Sequence, residues 1–279
     1  MSGRLFVVAT PIGNLQDISP RVKDALAESS VIFAEDTRVS INLLSHLGLQ
    51  KKLISCHNFN EANRAESLEK YAAEGATVSL VSDAGTPLVS DPGYQIVKEA
   101  LRLGMKVIPI PGPSAVLVAL VGSGLPCERF VFEGFLPDAR GDRTKRLQKL
   151  KEEERTMVLF VSPHNIKKLI PECLEAFGAE RPACLARELT KFYEEFVRGT
   201  LGGILEHVQT HEVKGECVLI IGGAPEGTVT RWTTEQVTER VHELLAAGGR
   251  LKDVSSLVAK SSGWSASDIY KIGLKMARH

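Results

Sequence analysis

Between Val81 and Gly93 the chain reads VSDAGTPLVSDPG, an apolar run that breaks into two short loops, each built from an aspartate, a proline and a glycine. Gly85 and Gly93 let a ligand approach the backbone closely, and Asp83, Thr86 and Asp91 supply hydrogen-bonding or charged groups beside them. Similar punctuation recurs in ATPIGNLQD from Ala9, EDTR from Glu35 and PGPSA from Pro111. Pro109, Pro111 and Pro113 remove three backbone donors, so pairing stops there. Ser114-Ala115 then opens a helix whose unpaired N–H groups can meet a carboxylate or another polar edge. No GxGxxG follows a strand, there is no GxxxxGK[ST], and no lysines cluster in these loops, which argues against a dinucleotide dehydrogenase, a P-loop nucleotidase and a triphosphate ligand. A neutral or zwitterionic nucleoside-like ligand suits them better. Any one loop also reads as a plain turn; four at strand ends argue for a site.

The elements that position them follow from periodicity. LFVVA, VIFA, VSLV and KVIPI are short apolar runs of buried strands, separated by helical patterns. Ser19-Pro20 gives one helix an N-cap and an N1 proline, and Gly48, Gly75 and Gly104 supply left-handed C-terminal stops. This alternation implies an open parallel sheet with helices on both faces, in which ligands bind beyond the carboxyl ends of the strands. The four loops all fall at such ends. After GSGLP the alternation resumes, with RFVFEGFLP, TMVLFVSP, RPACLAREL and GECVLIIGG as strands, a basic helix from about Arg143, and helices near Ile166–Phe177 and Leu201–Thr210. From Pro225 the pattern gives about three short helices. The expected organisation is α/β, with an N-terminal α/β domain over 1–124, a second over 125–225 and a helical appendage over 226–279.

Composition sets outer bounds. The 279 residues allow about two domains, and 43% hydrophobic with 24% charged residues is a globular balance. The longest apolar run, Ala115 to Val121, is far short of the ~20 residues of a membrane span, and the start lacks a signal-peptide core, so a cytoplasmic protein that meets no membrane is expected. Five scattered cysteines without a CxxC argue against a disulfide framework and a cysteine zinc site, and read as buried thiols. Zero formal net charge means that a nucleic-acid partner must be met by a local patch.

ATPIGNLQDIS, AEDTR, VSDAGTPLVSDPG, PGPSA, FEGFLP, LARELTKFYEEFVRGTL and KGECVLII, in this order and spacing from about Leu5 to Ile221, resemble the bacterial ribosomal RNA small subunit methyltransferase I family, in the tetrapyrrole-methylase-like class of S-adenosylmethionine enzymes. The resemblance implies two α/β domains with a cofactor cleft between them. It implies 2′-O-methylation of a cytidine in the decoding region of small-subunit rRNA, within the assembled small ribosomal subunit, by a homodimer. Carried over position by position, it assigns S-adenosylmethionine to Ile12, Ala84, Gly85, Thr86, Val89, Ser114, Ala115, Val161 and Leu189, with Asp83 adjacent; Asp91-Pro92-Gly93 is expected to cap the next helix. Departures stand at Val161 and Asn165, where the family has glutamate and arginine, and at Gly222, where it has glutamate.

Methyl transfer to a ribose hydroxyl needs the oxygen aligned and its proton accepted. Asp36 and Arg38 in EDTR, Glu188 and Lys191 in RELTK, and Glu194 or Glu195 are the candidates. Asp36 or Thr37 also suits a helix N-cap. Arg38 opposes the helix dipole in a first turn and is better placed on RNA phosphate or ribose. Lys191 is either a depressed-pKa base or a phosphate contact. His207 and His211 have metal-pair spacing, but Val208 follows where HExxH has glutamate, so a solvated face and no metal are expected. His57 lines an RNA entrance or makes a local turn. RGDRTKRLQKLK from Arg140, and Arg250, Lys252, Lys260, Lys271, Lys275 and Arg278, are phosphate-binding or solvated surfaces. The rivals are a tetrapyrrole or protein acceptor in the same class, and a non-catalytic ribosome-assembly RNA-binding protein.

Overall fold

The computed structural model describes residues 3–225 and 232–276. Arg278 lies outside these residues, as does the side chain of Lys260. The chain divides into two compact units, one running to Gln148 and from Arg155 to Gly222, the other joining Lys149–Glu154 to the chain from Gly223 onward.

The first unit begins with a parallel sheet. β1 (Arg4–Val8), β2 (Val31–Ala34), β3 (Leu53–Ser55), β4 (Thr77–Val81) and β5 (Lys106–Ile110) lie in the order β3-β2-β4-β1-β5. Parallel strands need helical crossovers, supplied by α1 (Pro20–Glu28), α2 (Thr37–His46), α3 (Glu61–Glu66), α4 (Leu68–Ala73) and α5 (Tyr94–Arg102). Two apolar cores result, one centred on Leu5, Phe33, Leu80 and Ile96, the other on Phe6, Leu26, Ile32 and Leu44. Ser19 accepts from the Val22 N–H and Pro20 opens α1; Gly48, Gly75 and Gly104 adopt left-handed φ of 68°, 64° and 70°.

α6 (Ala115–Ser123) follows β5, and its Val116, Ala119 and Leu120 enter the core of the second sheet. That sheet contains β6 (Phe130–Phe135), β7 (Thr156–Val161), β8 (Pro182–Arg187), β9 (Glu195–Thr200) and β10 (Cys217–Ile221) in the order β6-β7-β10-β8-β9. Only β6 and β7 pair in parallel; β10 runs antiparallel to β7 and β8, as does β9 to β8. α7 (Arg140–Leu150), α8 (Ile166–Phe177) and α9 (Leu201–Thr210) complete the alternation.

The second unit holds α10 (Thr234–Ala246), α11 (Leu251–Ser262) and α12 (Ala266–Met276) around Val237, Val241, Val254, Val258 and Ile269. Thr233 and Gln236 form a reciprocal capping box, and the Trp264 indole donates to the Trp232 carbonyl at 2.7 Å. Among the described residues no helix is long and apolar enough to cross a membrane.

Candidate functional site

The ends of β1 and β4 are tied together first. Thr10 and Gly85 exchange backbone hydrogen bonds of 2.8 and 3.0 Å, and the Thr10 hydroxyl donates to the Ser82 carbonyl. The PGPSA turn closes on them: a Cβ on Gly112 would stand 2.9 Å from that of Ala9, and the Thr86 hydroxyl donates to the Pro113 carbonyl at 3.2 Å. Ser114 begins α6 without a side-chain cap, so the first N–H groups of this helix stay available.

Beyond these ends lies a cavity of about 380 Å³. Ile12, Asp83, Ala84 and Ala115 line it from the first half of the chain; Val161 and Leu189 line it from the second sheet. Gly85, Thr86, Val89 and Ser114 do not line it; a Cβ on Gly85 would stand 3.2 Å from Ile12 Cγ2, and Val89 packs in the same cluster as Ile12 and Leu189. The cavity has apolar and aromatic sides, Phe135 and Phe160 included, and four carboxylates, Glu35, Asp83, Asp91 and Glu216. Among the described residues no lysine, arginine or histidine lines it.

Three of these acids influence one another. Asp83 accepts the Asp36 N–H at 2.9 Å, and its own N–H faces Glu35 Oε2 at 3.4 Å. Burial raises the pKa of Glu35 and of Asp83. Burial, then the charges of Glu35 and Asp83, push Asp91 up to about 6 against a hydrogen bond with Ser82. The Asp91-Pro92-Gly93 segment does supply the N-cap of α5, through Gly93 at φ 132° and without a side-chain bond, while the Glu61 carboxylate accepts the Gln95 N–H. Among the lining groups, Glu35, Glu216, Phe135 and Phe160 are not singled out as site residues in the sequence, and Asp91, noted there as a polar group of the loop, is assigned to the next helix rather than to chemistry. The raised acid is visible only once the loop after β2, which carries Glu35, is brought against the loop after β4, which carries both Asp83 and Asp91.

Asp36 and Arg38 form a bidentate pair, Nη2 to Oδ2 at 2.6 Å and Nε to Oδ1 at 3.0 Å, outside the cavity wall. Asp36 also caps α2 through the Arg38 N–H, and the guanidinium holds its carboxyl down at about 2. The Arg38 side chain is 87% exposed. Glu188 and Lys191 meet at 2.9 Å, and Lys191 reaches Glu216 at 3.0 Å. Burial pulls the Lys191 ammonium down, but its bonds to Glu188 and Glu216 outweigh this and hold its pKa above the ordinary value, the opposite of what a base needs. The Lys191 stem lies over Gly13, where a Cβ would come within 2.4 Å of Cγ, so the loops after β1 and β8 close on each other. Glu194 accepts the Thr190 N–H, and Glu195 pairs with Arg187.

The remaining candidates have local roles. His57 makes a turn with Asn60, its N–H donating to Oδ1 at 2.8 Å. The half-buried His207 and exposed His211 rings stack 4.5 Å apart. Four thiols are buried, and Cys127 is exposed. In the basic helix α7, Arg143 is bound to Glu172, Arg146 to Glu133 and Lys145 to Asp142, so much of its charge staples the second sheet's surroundings. Gly222 sits five residues beyond Cys217 along β10, roughly 16 Å from the end that lines the cavity.

Residues 4–205 match the family model described as Tetrapyrrole (Corrin/Porphyrin) Methylases. The ribosomal RNA small subunit methyltransferase I of Pseudomonas aeruginosa is 41% identical over 278 residues, covering 98% of both chains. The protein of that name from Halalkalibacterium halodurans is 41% identical over 273 residues, covering 97% of this chain and 94% of its own. This chain belongs to the ribosomal RNA small subunit methyltransferase I family. It is therefore a methyltransferase with the tetrapyrrole methylase fold. Uroporphyrin-III C-methyltransferase from Thermus thermophilus, complexed with S-adenyl homocysteine, shares that fold at a TM-score of 0.54 and 19% identity, over 79% of this chain and 97% of its own. Membership of the methyltransferase I family rests on similarity that continues through the helical unit at the end of the chain, beyond the residues the family model matches.

Proposed function

We propose that this chain transfers a methyl group from S-adenosylmethionine to the 2′-hydroxyl of a cytidine in the decoding region of small-subunit rRNA. The observation that carries the reading is the cavity of about 380 Å³, which among the described residues has four carboxylates and no basic side chain in its lining. Such a lining suits a compact ligand bearing a sulfonium and an ammonium and disfavours a polyphosphate. The full-length relatives support RNA as the acceptor.

In this reading Ile12, Asp83, Ala84, Gly85, Thr86, Val89, Ser114, Ala115, Val161 and Leu189 hold the cofactor, the first N–H groups of α6 meeting its polar end. When bound, S-adenosylmethionine supplies an electrophilic methyl on a cationic sulfur. The ribose oxygen forms a bond to that methyl as the carbon–sulfur bond breaks, and the hydroxyl proton passes to a carboxylate of the chain. Asp91 is the group best matched to accept it: its pKa of about 6 leaves it ionised at neutral pH while more basic than an ordinary aspartate. Arg38, oriented by Asp36, meets an RNA phosphate or ribose. Glu188 and Lys191 fix the loop that carries Leu189. The same reading gives a cytoplasmic homodimer acting on the assembled small subunit, with the two α/β domains meeting near residue 124 and the appendage starting near 226.

The test uses labelled S-adenosylmethionine and small ribosomal subunits from a strain lacking the gene, followed by mapping of the modified nucleotide. Label on a cytidine 2′-oxygen is expected; transfer to a precorrin, or no 2′-O-methyl nucleotide, would sink the reading. Thr86→Arg, which forces a long cation against Pro113, is expected to abolish cofactor binding in calorimetry with the thermal unfolding transition retained. Normal binding would show that the cofactor set is misplaced.

A further inference from the structure

Adjoining the cofactor cavity is a larger one of about 800 Å³ that shares Phe135, Phe160, Val161 and Ser162 with it. The rest of its wall is the turn from β6 into α7 and one side of α8 as far as Glu175, through residues such as Arg140, Asn165 and Lys168. No residue singled out above for catalysis lines it, and its size lies within the range of about 300–1,000 Å³ typical of ligand sites.

Its wall distributes three chemistries. Phe135 is 60% exposed, with its ring centroid 5.4 Å from that of Phe160, and so offers an aromatic face. Arg143 frames the wall: it donates to the Pro137 and Asp138 carbonyls at 2.9 and 2.7 Å and grips Glu172 through Nε and Nη2. Because Arg143 already meets the Glu172 charge, Arg140, whose side chain is 80% exposed and 3.8 Å from that carboxylate, keeps its guanidinium available. Lys168, exposed on α8, adds a second cation at the rim. Asn165 begins α8 without capping it through its side chain, which leaves an amide for hydrogen bonding. Asp138 and Glu175 also line the cavity, so it suits a ligand with separated phosphates at its edge and no dense polyphosphate.

We propose that this chamber receives the acceptor nucleotide, turned out of its RNA strand. Its base lies against Phe135 and Phe160, its flanking phosphates meet Arg140 and Lys168, and its ribose faces the shared wall at Val161 and Ser162. Bases of single-stranded RNA loops can be splayed out and stacked on any aromatic face, which presents the attached ribose at the edge of the pocket. The proposal rests on methyl transfer to RNA as read above and adds the place where the acceptor sits.

Two variants test it: Arg140→Ser with Lys168→Ser, which removes the rim cations, and Asn165→Trp, which fills the chamber. Each is assayed with labelled S-adenosylmethionine on small ribosomal subunits lacking the modification, with subunit affinity measured across a KCl series and cofactor affinity measured by calorimetry. The double variant is expected to raise KM for the subunits about tenfold and to flatten the salt slope by about 1 to 2. Asn165→Trp is expected to lower transfer at least about 100-fold, and both variants should bind the cofactor as the wild type does. If the wild type methylates RNA and both variants match it in KM and salt slope, the chamber is not the acceptor site, and the reading of methyl transfer stands. Loss of cofactor binding in both variants assigns the chamber to the cofactor and overturns the proposal. A wild type that transfers no methyl to RNA overturns both.

Discussion

The loops after β4 and after β8 present the cavity with the same backbone device. Each sets an apolar residue of the cavity cluster between two non-glycine residues in the left-handed region: Val89 between Leu88 at φ 74° and Ser90 at 68°, and Leu189 between Glu188 at 49° and Thr190 at 64°. Each such residue costs roughly 1–3 kcal/mol and persists only where its surroundings over-determine it. The surroundings differ. In the first loop they are packing and main-chain bonds: Leu88 lies against the Phe33–Leu80 core, Gly93 has Leu80 2.7 Å from where a Cβ would stand, and Gly85 is locked to Thr10. In the second they are charges: Glu188 accepts from Lys191 and from the Glu216 N–H, Lys191 also reaches Glu216, and Glu194 accepts from Thr190. Dispersion and buried backbone bonds are indifferent to salt, whereas half-exposed ion pairs are screened by it. The second loop, although main-chain bonds and buried Leu189 also hold it, should therefore respond to salt more than the first.

The largest effect separating the two loops should come from Asp91, the charged member of the first. Asp91→Asn is expected to lower methyl transfer by about 100-fold or more and to erase a rise in kcat/KM centred near pH 6 in the wild type. Its folded-state pKa lies above the ordinary value, so the folded protein binds the extra proton. Stability therefore falls as pH rises from the ordinary carboxylate range through about 6, and the cost is fully present above that. Asp91→Asn should accordingly stabilise the protein at pH 8 by about 1 kcal/mol, allowing for solvent screening of a half-buried group, with less gain at pH 5. A variant that loses stability at pH 8 would show that the carboxylate is structural.

Lys191→Met comes next. It leaves Glu188 and Glu216 facing one another while keeping the stem over Gly13. Cofactor affinity should drop about tenfold, at roughly 1.4 kcal/mol per decade, and its sensitivity to KCl should largely disappear, both read by calorimetry. The equivalent disturbance of the first loop, Leu88→Ala, should lower the unfolding temperature while leaving the salt dependence of cofactor binding as in the wild type. Equal salt effects in the two variants would erase the contrast.

What the sequence discloses divides along similar lines. Apolar strand runs and glycine stops are local signals, and the parallel sheet follows from them. β3 covers only Leu53–Ser55, and β9, EFVRGT on an edge, lacks alternation, so neither announces itself. The antiparallel course of β8, β9 and β10 is equally hidden, because helices interrupt the second half much as they would between parallel strands. In the site, Ile12, Asp83 and Val161 stand at ends of legible strands. Asp91 is masked by Pro92-Gly93, whose local chemistry is that of a helix start; only its burial, beside Asp83 of the same stretch and Glu35 from the distant loop after β2, changes what its carboxylate does.

The smallest predicted effect concerns Thr190. A β-branched residue at φ 64° is a conformational outlier, and its hydroxyl is buried without a hydrogen-bond partner. Thr190→Gly removes both penalties at the cost of a more flexible unfolded chain, for a net gain of about 1 kcal/mol. That corresponds to an unfolding temperature higher by about 2–4 °C for a chain of this size. The glycine also admits other conformations beside Leu189, so cofactor affinity should weaken about two- to threefold. The same exchange at Leu88 gives up packing against the first core and should destabilise the protein. Opposite signs for Thr190→Gly and Leu88→Gly in calorimetric unfolding are what a charge-held and a packing-held loop require; a loss of stability in both would mean that Thr190, too, is held by contacts its removal breaks.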